Sequence, residues 1–129
     1  MAKEHKKIKP KFVPKVWGNE LWLANTDQYC GKLIVVKKGH YCSVHFHKLK
    51  HEHFFVLKGS VKLEYMDKPL VTLEMWQKSK RSMILNEGDV VEILPYHLHR
   101  FTGLERTNQI IEISTTHFNS DSYRIVMGS

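Results

Sequence analysis

The sequence predicts an all-β domain, built as a sandwich or barrel of short strands. Runs of β-branched and aromatic residues are separated by Gly, Asn, Asp and Pro, and no long stretch has clear helical periodicity. Turn residues recur between these runs at regular spacing, as is typical of sandwiches and barrels. A chain of 129 residues has the usual size of one domain and can bury a core without disulfides.

The strand pattern also bears on assembly. Residues 61–65 alternate apolar and charged side chains, which indicates a strand with one face in water, whereas residues 54–57 are apolar on both faces. We therefore expect strand 54–57 to be covered on each side, either within the domain or by a second subunit, and the second arrangement predicts a homodimer. The polar stretch QKSKRS at 77–82 reads as an exposed loop. The predicted strands are residues 32–37, 41–47, 53–57, 60–65, 70–74, 89–94, 99–104 and 109–115.

Basic residues are unevenly distributed along the chain. The net charge is +7, and six of the twenty Lys and Arg residues lie within the first fifteen positions. This composition predicts a basic, flexible tail over residues 1–15 and a single domain over residues 16–129. A positive charge concentrated in a tail gives weak support for nucleic-acid binding, and a basic surface also suits an anionic small molecule. We expect a small-molecule substrate and no nucleic-acid partner.

Hydropathy and cysteine content give an expectation for the compartment. No apolar run approaches the roughly 20 residues that a membrane-spanning helix needs, and no apolar segment of a signal peptide follows the basic start. Cys30 and Cys42 are too few for a disulfide framework, so we interpret both as thiols. These features predict a cytoplasmic protein without a membrane partner.

Clustered histidines indicate a metal site. His45 and His47 lie two residues apart on a predicted strand, so their side chains project from the same face. A turn after His47 brings Glu52 back toward them, and His99 on a later strand is the best-placed fourth ligand. Three imidazoles and one carboxylate suit one divalent Zn, Mn, Fe, Ni or Co ion better than Mg or Ca.

The neighbouring histidines leave alternatives open. His51 and His53 flank Glu52, so either could replace a proposed ligand, and both are candidates for acid–base catalysis together with Arg100. A vestigial site without metal is a further alternative. The general base is not determined by the sequence. Candidates for it are Glu92, Glu112, His51, His53, His97 and Tyr65.

The histidine spacing resembles a known family motif. Between Gly39 and Gly59, the order of glycine, two histidines, glutamate and glycine is similar to the first cupin motif at each fixed position. Gly88 and His99 keep the separation of the second motif, which departs from the family pattern at Leu94, Tyr96 and Gly103. This resemblance implies a single-domain cupin β-barrel, also called a double-stranded β-helix or jelly roll.

A narrower resemblance covers residues 17–124 and concerns function. The order of Trp17-Gly18, the histidine strand, His99-Arg100, Glu112 and residues 121–124 is similar to the cupin domain of type II phosphomannose isomerases. The chain departs from those enzymes by lacking their triple-histidine run and by carrying an EMWQKSKRS insertion. The resemblance implies a sugar or sugar-phosphate ligand and an isomerase or epimerase type of reaction.

Basic and polar residues outside the metal site are candidates for binding the substrate. An arginine grips a phosphate through two parallel hydrogen bonds, and a lysine binds it as a point charge. The alternatives to an isomerase are a non-catalytic sugar-binding or regulatory cupin and an Fe(II)-dependent dioxygenase. The candidate substrate-binding residues are Lys50, His97, Arg100, Arg124 and Tyr65.

Overall fold

The computed structural model describes residues 4–69 and 71–129. Within these residues the chain forms two antiparallel sheets, one α-helix and one turn of 3-10 helix at Asn119–Asp121. The helix, α1, spans Leu73–Ser79. The strands are β1 Lys11–Lys15, β2 Gly18–Asn25, β3 Cys30–Lys37, β4 Val44–Phe46, β5 Glu52–Lys58, β6 Ser60–Tyr65, β7 Arg81–Asn86, β8 Val90–Ile93, β9 His99–Gly103, β10 Thr107–Ser114 and β11 Tyr123–Val126.

The two sheets contain six and five strands. The larger has the order β1-β2-β3-β10-β5-β8, and the smaller has the order β11-β4-β9-β6-β7. An isolated bridge from Lys38, directly after β3, to Gly103 of β9 connects the two sheets, and a second bridge runs from Tyr41 to Thr102 of β9. In the part of the chain described, the ladders form two sheets in a jelly roll rather than one closed barrel. The predicted all-β class is confirmed.

Side chains alternate between the two faces of each strand, and those that point inward fill the space between the sheets. Phe54 and Val56 of β5 are buried while Leu57 is exposed, because successive side chains of a strand point to opposite faces. A second cluster forms around Trp76 of α1, which is buried against Val44 and Leu98. The main core combines residues from both sheets, among them Ile34, Val36, Phe54, Val56, Ile110, Val61, Leu63 and Phe101.

The predicted strand at residues 70–74 is wrong where the structure describes it. Leu70 lies outside the described residues, and Thr72 is the N-cap of α1, where its side-chain oxygen accepts a hydrogen bond from the Met75 amide at 3.2 Å. This cap satisfies an amide that has no partner within the helix. No helix in the described part of the chain is long and apolar enough to cross a membrane.

Four further strands differ from the sequence predictions, and two of them, β2 and β11, lie where no strand was predicted. The stretch predicted as a loop at 77–82 contributes its first residues to α1 and its last to β7, which pairs with β6. β1 forms an edge strand on β2 within the segment that was assigned to the tail. Gly18 begins β2, and a side chain there would collide with the Val35 backbone. Its lack of a side chain thus permits the close approach of β2 to β3.

Candidate functional site

A cavity of about 730 Å3 is lined by side chains from both sheets. One wall is apolar and includes Trp17, Phe54 and Phe101. The exposed residues Phe12 and Val16, near the N-terminal edge strand, also line it. Most of its polar lining comes from buried or half-buried ionisable residues, which are His45, His47, Lys50, Glu52, His99, Glu112, Glu20, Lys32 and His117.

Three histidines converge within this cavity. His45 lies on β4, His47 directly follows that strand, and His99 on β9 is the direct cross-strand partner of His45. The rings of His45 and His99 have centroids 4.3 Å apart. One ring nitrogen from each of the three histidines lies within 4.8 Å of the others. The structure therefore brings together the three imidazoles that the sequence predicted as metal ligands.

Backbone carbonyls fix the tautomer of each imidazole. In every case the Nδ1 atom faces a main-chain oxygen, which only accepts hydrogen bonds, so Nδ1 carries the proton. The lone pair then resides on Nε2, and this arrangement is typical of histidines that bind a metal. The acceptors are Ser43 O at 2.8 Å from His45, Asp121 O at 2.9 Å from His47 and His97 O at 3.0 Å from His99.

Glu52 completes the cluster from β5. Its Oε1 lies 3.6 Å from His47 Nε2, and its Oε2 lies 3.5 Å from His99 Nε2. Among the described residues, Glu52 Oε2 and His99 Nε2 are buried polar atoms without a hydrogen-bond partner. Such atoms are costly unless something satisfies them, and a divalent cation does so for both. The donor set therefore fits a transition-metal ion.

Burial sets the charge of these groups. It lowers the pKa of His47, with help from His99, to about 2, and lowers the pKa of His99 to about 4. Burial and the neighbouring imidazoles hold the pKa of His45 well below its usual value. All three rings are thus neutral near pH 7, which is the form that binds metal. Burial and the Glu112 carboxylate raise the pKa of Glu52. A bound cation would lower that pKa, because a nearby positive charge favours the ionised carboxylate.

Lys50 connects the cluster to a second carboxylate. Its Nζ lies 2.7 Å from Glu112 Oε2, 3.3 Å from Glu52 Oε1 and 2.9 Å from His117 Nδ1. Three acceptors thus match the three protons of the ammonium group. Burial opposes its charge, but Glu52 and Glu112 outweigh that effect and raise the pKa of Lys50. Lys50 is thus a predicted substrate-binding residue whose side chain contacts a candidate metal ligand.

A second buried ion pair lines the cavity. Lys32 is 2% exposed, and its Nζ lies 3.3 Å from Glu20 Oε1 and 4.3 Å from the centre of the Trp22 ring. Trp22 Nε1 donates to the same Glu20 oxygen at 2.9 Å. The residue pattern did not indicate Lys32 and Glu20 as parts of the site. The position of Lys32 within an otherwise apolar strand is the sequence feature that could have indicated this buried ion pair.

Asp121 positions the segment between the ligands. Its carboxylate accepts hydrogen bonds from the amides of Lys48, Leu49 and Lys50 at 2.9 to 3.1 Å, while its carbonyl holds His47. It is 4% exposed. The resemblance drew attention to residues 121–124 but assigned no role to this side chain, because its contacts lie more than seventy residues away in sequence.

The predicted catalytic residues His51 and His53 do not line the cavity. Because Glu52 points inward, its two neighbours point to the opposite face of the sheet, where both approach Glu92. Neither therefore lies near enough to the other histidines to replace a ligand in this arrangement. Glu92, a candidate base, shares this outward position.

Arg100 also lies apart from the cavity lining. Its Nε donates to Cys42 O at 2.9 Å, its Nη2 donates to Met127 O at 3.1 Å, and the guanidinium covers the Tyr41 ring. These contacts tie the chain end to β9, so the structure gives Arg100 a scaffold position. His97 and Tyr65 are outside the lining as well, whereas Arg124 belongs to it.

Comparisons with known proteins bear on the fold. No protein-family model matches the chain, and no curated protein sequence matches it. Among solved structures, the capsular polysaccharide assembling protein CapF from Staphylococcus aureus superposes with a TM-score of 0.74 at 17% identity, covering 94% of this chain and 33% of CapF. The chain thus spans about a third of CapF, which is a cupin-fold protein. This chain has the cupin fold.

Two other similar structures support the same fold. L-ribose isomerase from Cellulomonas parahominis, solved with L-psicose, has a TM-score of 0.73 at 17% identity, over 82% of this chain and 68% of the enzyme. Oxalate decarboxylase from Bacillus subtilis has a TM-score of 0.75 at 12% identity, over 95% of this chain and 34% of the enzyme. The predicted cupin jelly roll is confirmed. Because such different proteins share this fold, the function of this chain must be argued from its site.

Proposed function

We propose that this cupin binds a small sugar or sugar phosphate beside a metal ion and interconverts its aldose and ketose forms. The observation that carries the proposal is the meeting of two groups in one cavity. These are the cluster of three neutral imidazoles with Glu52, and the Lys50–Glu112 pair next to it. The fold shared with an L-ribose isomerase supports a sugar as the ligand.

In this proposal His45, His47, Glu52 and His99 hold one divalent Zn, Mn, Fe, Ni or Co ion. When bound, the ion supplies Lewis acidity that polarises the carbonyl of an open-chain sugar and acidifies the neighbouring C–H. The fixed Nδ1 hydrogen bonds keep the three imidazoles oriented, so the protein supplies the ligand geometry in advance.

Glu112 is the proposed general base. Lys50 and Ser114 both contact its Oε2, at 2.7 and 2.8 Å, so Oε1 is the atom proposed to take the proton from carbon and return it to the adjacent carbon. The Lys50 ammonium lies between Glu112 and Glu52, where it holds the base in place. Burial alone would raise the pKa of Glu112, but the charges of Lys50 and Lys32 outweigh that effect, so the pKa is lowered and the carboxylate stays ionised.

The charges around the cavity constrain where a substrate phosphate would lie. The two buried lysines, Lys32 and Lys50, are already paired with carboxylates. The uncharged, reactive end of the sugar therefore faces the metal ligands in this proposal, and Arg124 is the cavity residue that would bind a phosphate. The apolar wall of Trp17, Phe54 and Phe101 suits the C–H faces of a sugar.

An exchange assay in D2O tests the reaction. Metal-reconstituted protein is incubated without oxygen with pentoses, hexoses and their terminal phosphates, and NMR follows isomer formation and deuterium incorporation. We expect one sugar class to isomerise with deuterium at the carbon next to the carbonyl. Glu112→Gln should lower kcat by about 100-fold or more at unchanged metal content, since general bases contribute about 10²- to 10⁴-fold. The control Glu74→Gln changes an exposed carboxylate on α1 and should keep full activity.

Parallel measurements of thermal unfolding, and of oxygen uptake in air, separate the other functions. A sugar that raises the melting temperature without forming product would favour the non-catalytic binding cupin. Oxygen consumption that depends on iron would favour the dioxygenase. Metal content must also fall in a folded His45→Ala/His47→Ala variant. Unchanged metal content in that variant would refute the proposed ligand set.

A further inference from the structure

A second group of potential metal ligands lies on the outer face of the larger sheet. His53 of β5 and Glu92 of β8 are direct cross-strand partners, and His51 immediately precedes β5. Since Glu52 points into the cavity, the alternation of side chains places both histidines on the other side of the sheet. This outer group is therefore separated from the cavity ligands by the sheet itself.

The distances within the outer group suit coordination. His51 Nε2 lies 2.8 Å from Glu92 Oε2, and His53 Nε2 lies 3.7 Å from the same oxygen. One ligand atom from each residue lies within 4.8 Å of the other two. Zinc–nitrogen bonds of about 2.0 Å in a tetrahedron place neighbouring ligand atoms about 3.3 Å apart. The two measured distances bracket that value, so small side-chain rotations suffice.

We propose that His51, His53 and Glu92 form a second transition-metal site on this outer face. Two imidazoles and one carboxylate suit Zn, Cu(II) or Ni rather than Mg or Ca, which prefer oxygen ligands. The three protein ligands leave a coordination position to water. This site is independent of the proposed isomerase function, because it shares no residue with the cavity.

The backbone supports the outer ligands before metal arrives. The His51 amide donates to Thr115 Oγ1 at 3.1 Å, and the Thr115 amide donates to His51 O at 3.1 Å. His53 and Glu92 are held in register by the β5–β8 ladder. Their backbone positions are thus fixed, and only side-chain rotations remain to be restricted on binding.

Replacing the existing contacts of Glu92 with His51 and His53 by metal coordination costs little free energy. The side chains of His51, His53 and Glu92 are 41%, 46% and 50% exposed. An ion pair between exposed groups contributes about 0 to 1 kcal/mol, so coordination does not have to break a strong interaction. In a single copy of the chain, the same exposure gives a metal ion direct access from solvent.

Calorimetric titration with Zn2+ tests the site. The full chain, stripped of metal, is compared with His51→Ala/His53→Ala, with the cavity variant His45→Ala/His47→Ala, and with His5→Ala as a control for loss of an exposed histidine. We expect the double change on the outer face to remove one equivalent of zinc from the binding curve. The cavity variant should retain that equivalent, and His5→Ala should match the unaltered chain.

The outcomes discriminate between the two sites. Loss of an equivalent in the outer variant alone supports the outer site even if the cavity binds nothing. An unchanged curve for the folded outer variant overturns the proposal, and so does loss of all zinc in the cavity variant. Glu92→Gln tests the same site with a smaller change. It keeps the side-chain shape and should weaken binding of the equivalent of zinc assigned to the outer site.

Discussion

At the scale of single residues, the chemistry of His47 is set by atoms that are distant in sequence. Its Nδ1 faces the carbonyl of Asp121, and burial lowers its pKa to about 2. The spacing of His45, His47 and Glu52 was enough to predict that they converge, because strand alternation and one turn are local features. The sequence could not predict their tautomers or burial, since these depend on chain segments folded against them.

Cys42 provides a prediction of pH dependence. Burial raises the pKa of its thiol from 9.0 to about 11. A group with a raised folded-state pKa contributes stability below its unfolded pKa and loses it as pH rises through the folded pKa. Between pH 9.0 and about 11, the free energy of unfolding should therefore decrease.

Urea unfolding at about pH 8 and pH 10.5 measures this effect. Cys42→Ser retains an acceptor for the Phe101 amide, which donates to Cys42 Sγ at 3.2 Å, but removes the titration. The wild-type chain should lose about 2 kcal/mol more than the variant over this interval. Equal losses would show that the thiol does not titrate in this way.

At the scale of elements, the 3-10 turn at Asn119–Asp121 contacts and positions the segment that carries the candidate metal ligands. In Asp121→Asn, an amide group would replace a carboxylate oxygen that accepts from the backbone of residues 48–50. We expect the free energy of unfolding to fall by about 2 to 3 kcal/mol, as for hydrogen bonds to charged groups. Zinc affinity of the folded variant should fall by about 10- to 100-fold, because the carbonyl that orients His47 would move.

A matched change elsewhere controls for the loss of a carboxylate. Asp67 forms an exposed ion pair with Arg81 at 2.7 Å, so Asp67→Asn should alter stability by less than about 1 kcal/mol. Its zinc affinity should equal that of the unaltered chain. Calorimetry and chemical unfolding of both variants provide the comparison, and equal zinc affinities in the two variants would contradict a positioning role for Asp121.

Helix α1 gives a second prediction at this scale. Trp76 is 4% exposed and packs in the second hydrophobic cluster, whereas the adjacent Met75 is 42% exposed. Trp76→Ala should lower the free energy of unfolding by about 3 to 5 kcal/mol. Met75→Ala, on the same helix, should change it by less than about 0.5 kcal/mol. Thermal or urea unfolding checks both values, and similar effects would mean that α1 is not anchored through Trp76.

The missed elements have physical causes. Helix α1 has seven residues, too few for a helical period to stand out, and its stability comes from burial of Trp76 rather than from its own pattern. β1 is short and carries two lysines, so its composition resembles a tail, yet it pairs with β2. In contrast, β6 was predicted with its observed bounds because one of its faces is apolar and the other polar.

At the scale of the whole molecule, the apolar residues at 54–57 divide between two surfaces. Phe54 and Val56 fill the core, while Leu57 lies on the outer face, where Val90 and Ile113 are 59% and 61% exposed. This exposure is consistent with the predicted homodimer. Ile113→Lys should then produce monomers in sedimentation analysis, because a charge would enter the apolar contact.

A lysine on the other sheet controls for surface charge. Ile84 is 51% exposed on β7, so Ile84→Lys should leave the oligomeric state unchanged. A monomeric unaltered chain, or dimers that persist in Ile113→Lys, would contradict dimerisation through the outer face.

The pairing of charges within the cavity could not be predicted from the sequence. Lys32 lies in a strand that reads as apolar, and Glu20 precedes it by twelve residues, yet the two form a buried ion pair beside the candidate ligands. Their approach depends on the β2–β3 register. Overall topology could be predicted because motif spacing resembles a known fold, whereas the pairing of charges within the cavity required coordinates.

The contact between Asp121 and His47 also orders events during protein synthesis. The last of the four candidate ligands joins the growing chain when the ribosome adds residue 99. The oxygen that orients His47 belongs to residue 121 and is made more than twenty residues later. A nascent chain therefore holds the complete set of candidate ligands before it holds an oriented site, and tight binding of a metal ion would wait until residue 121 has been made and folded against His47.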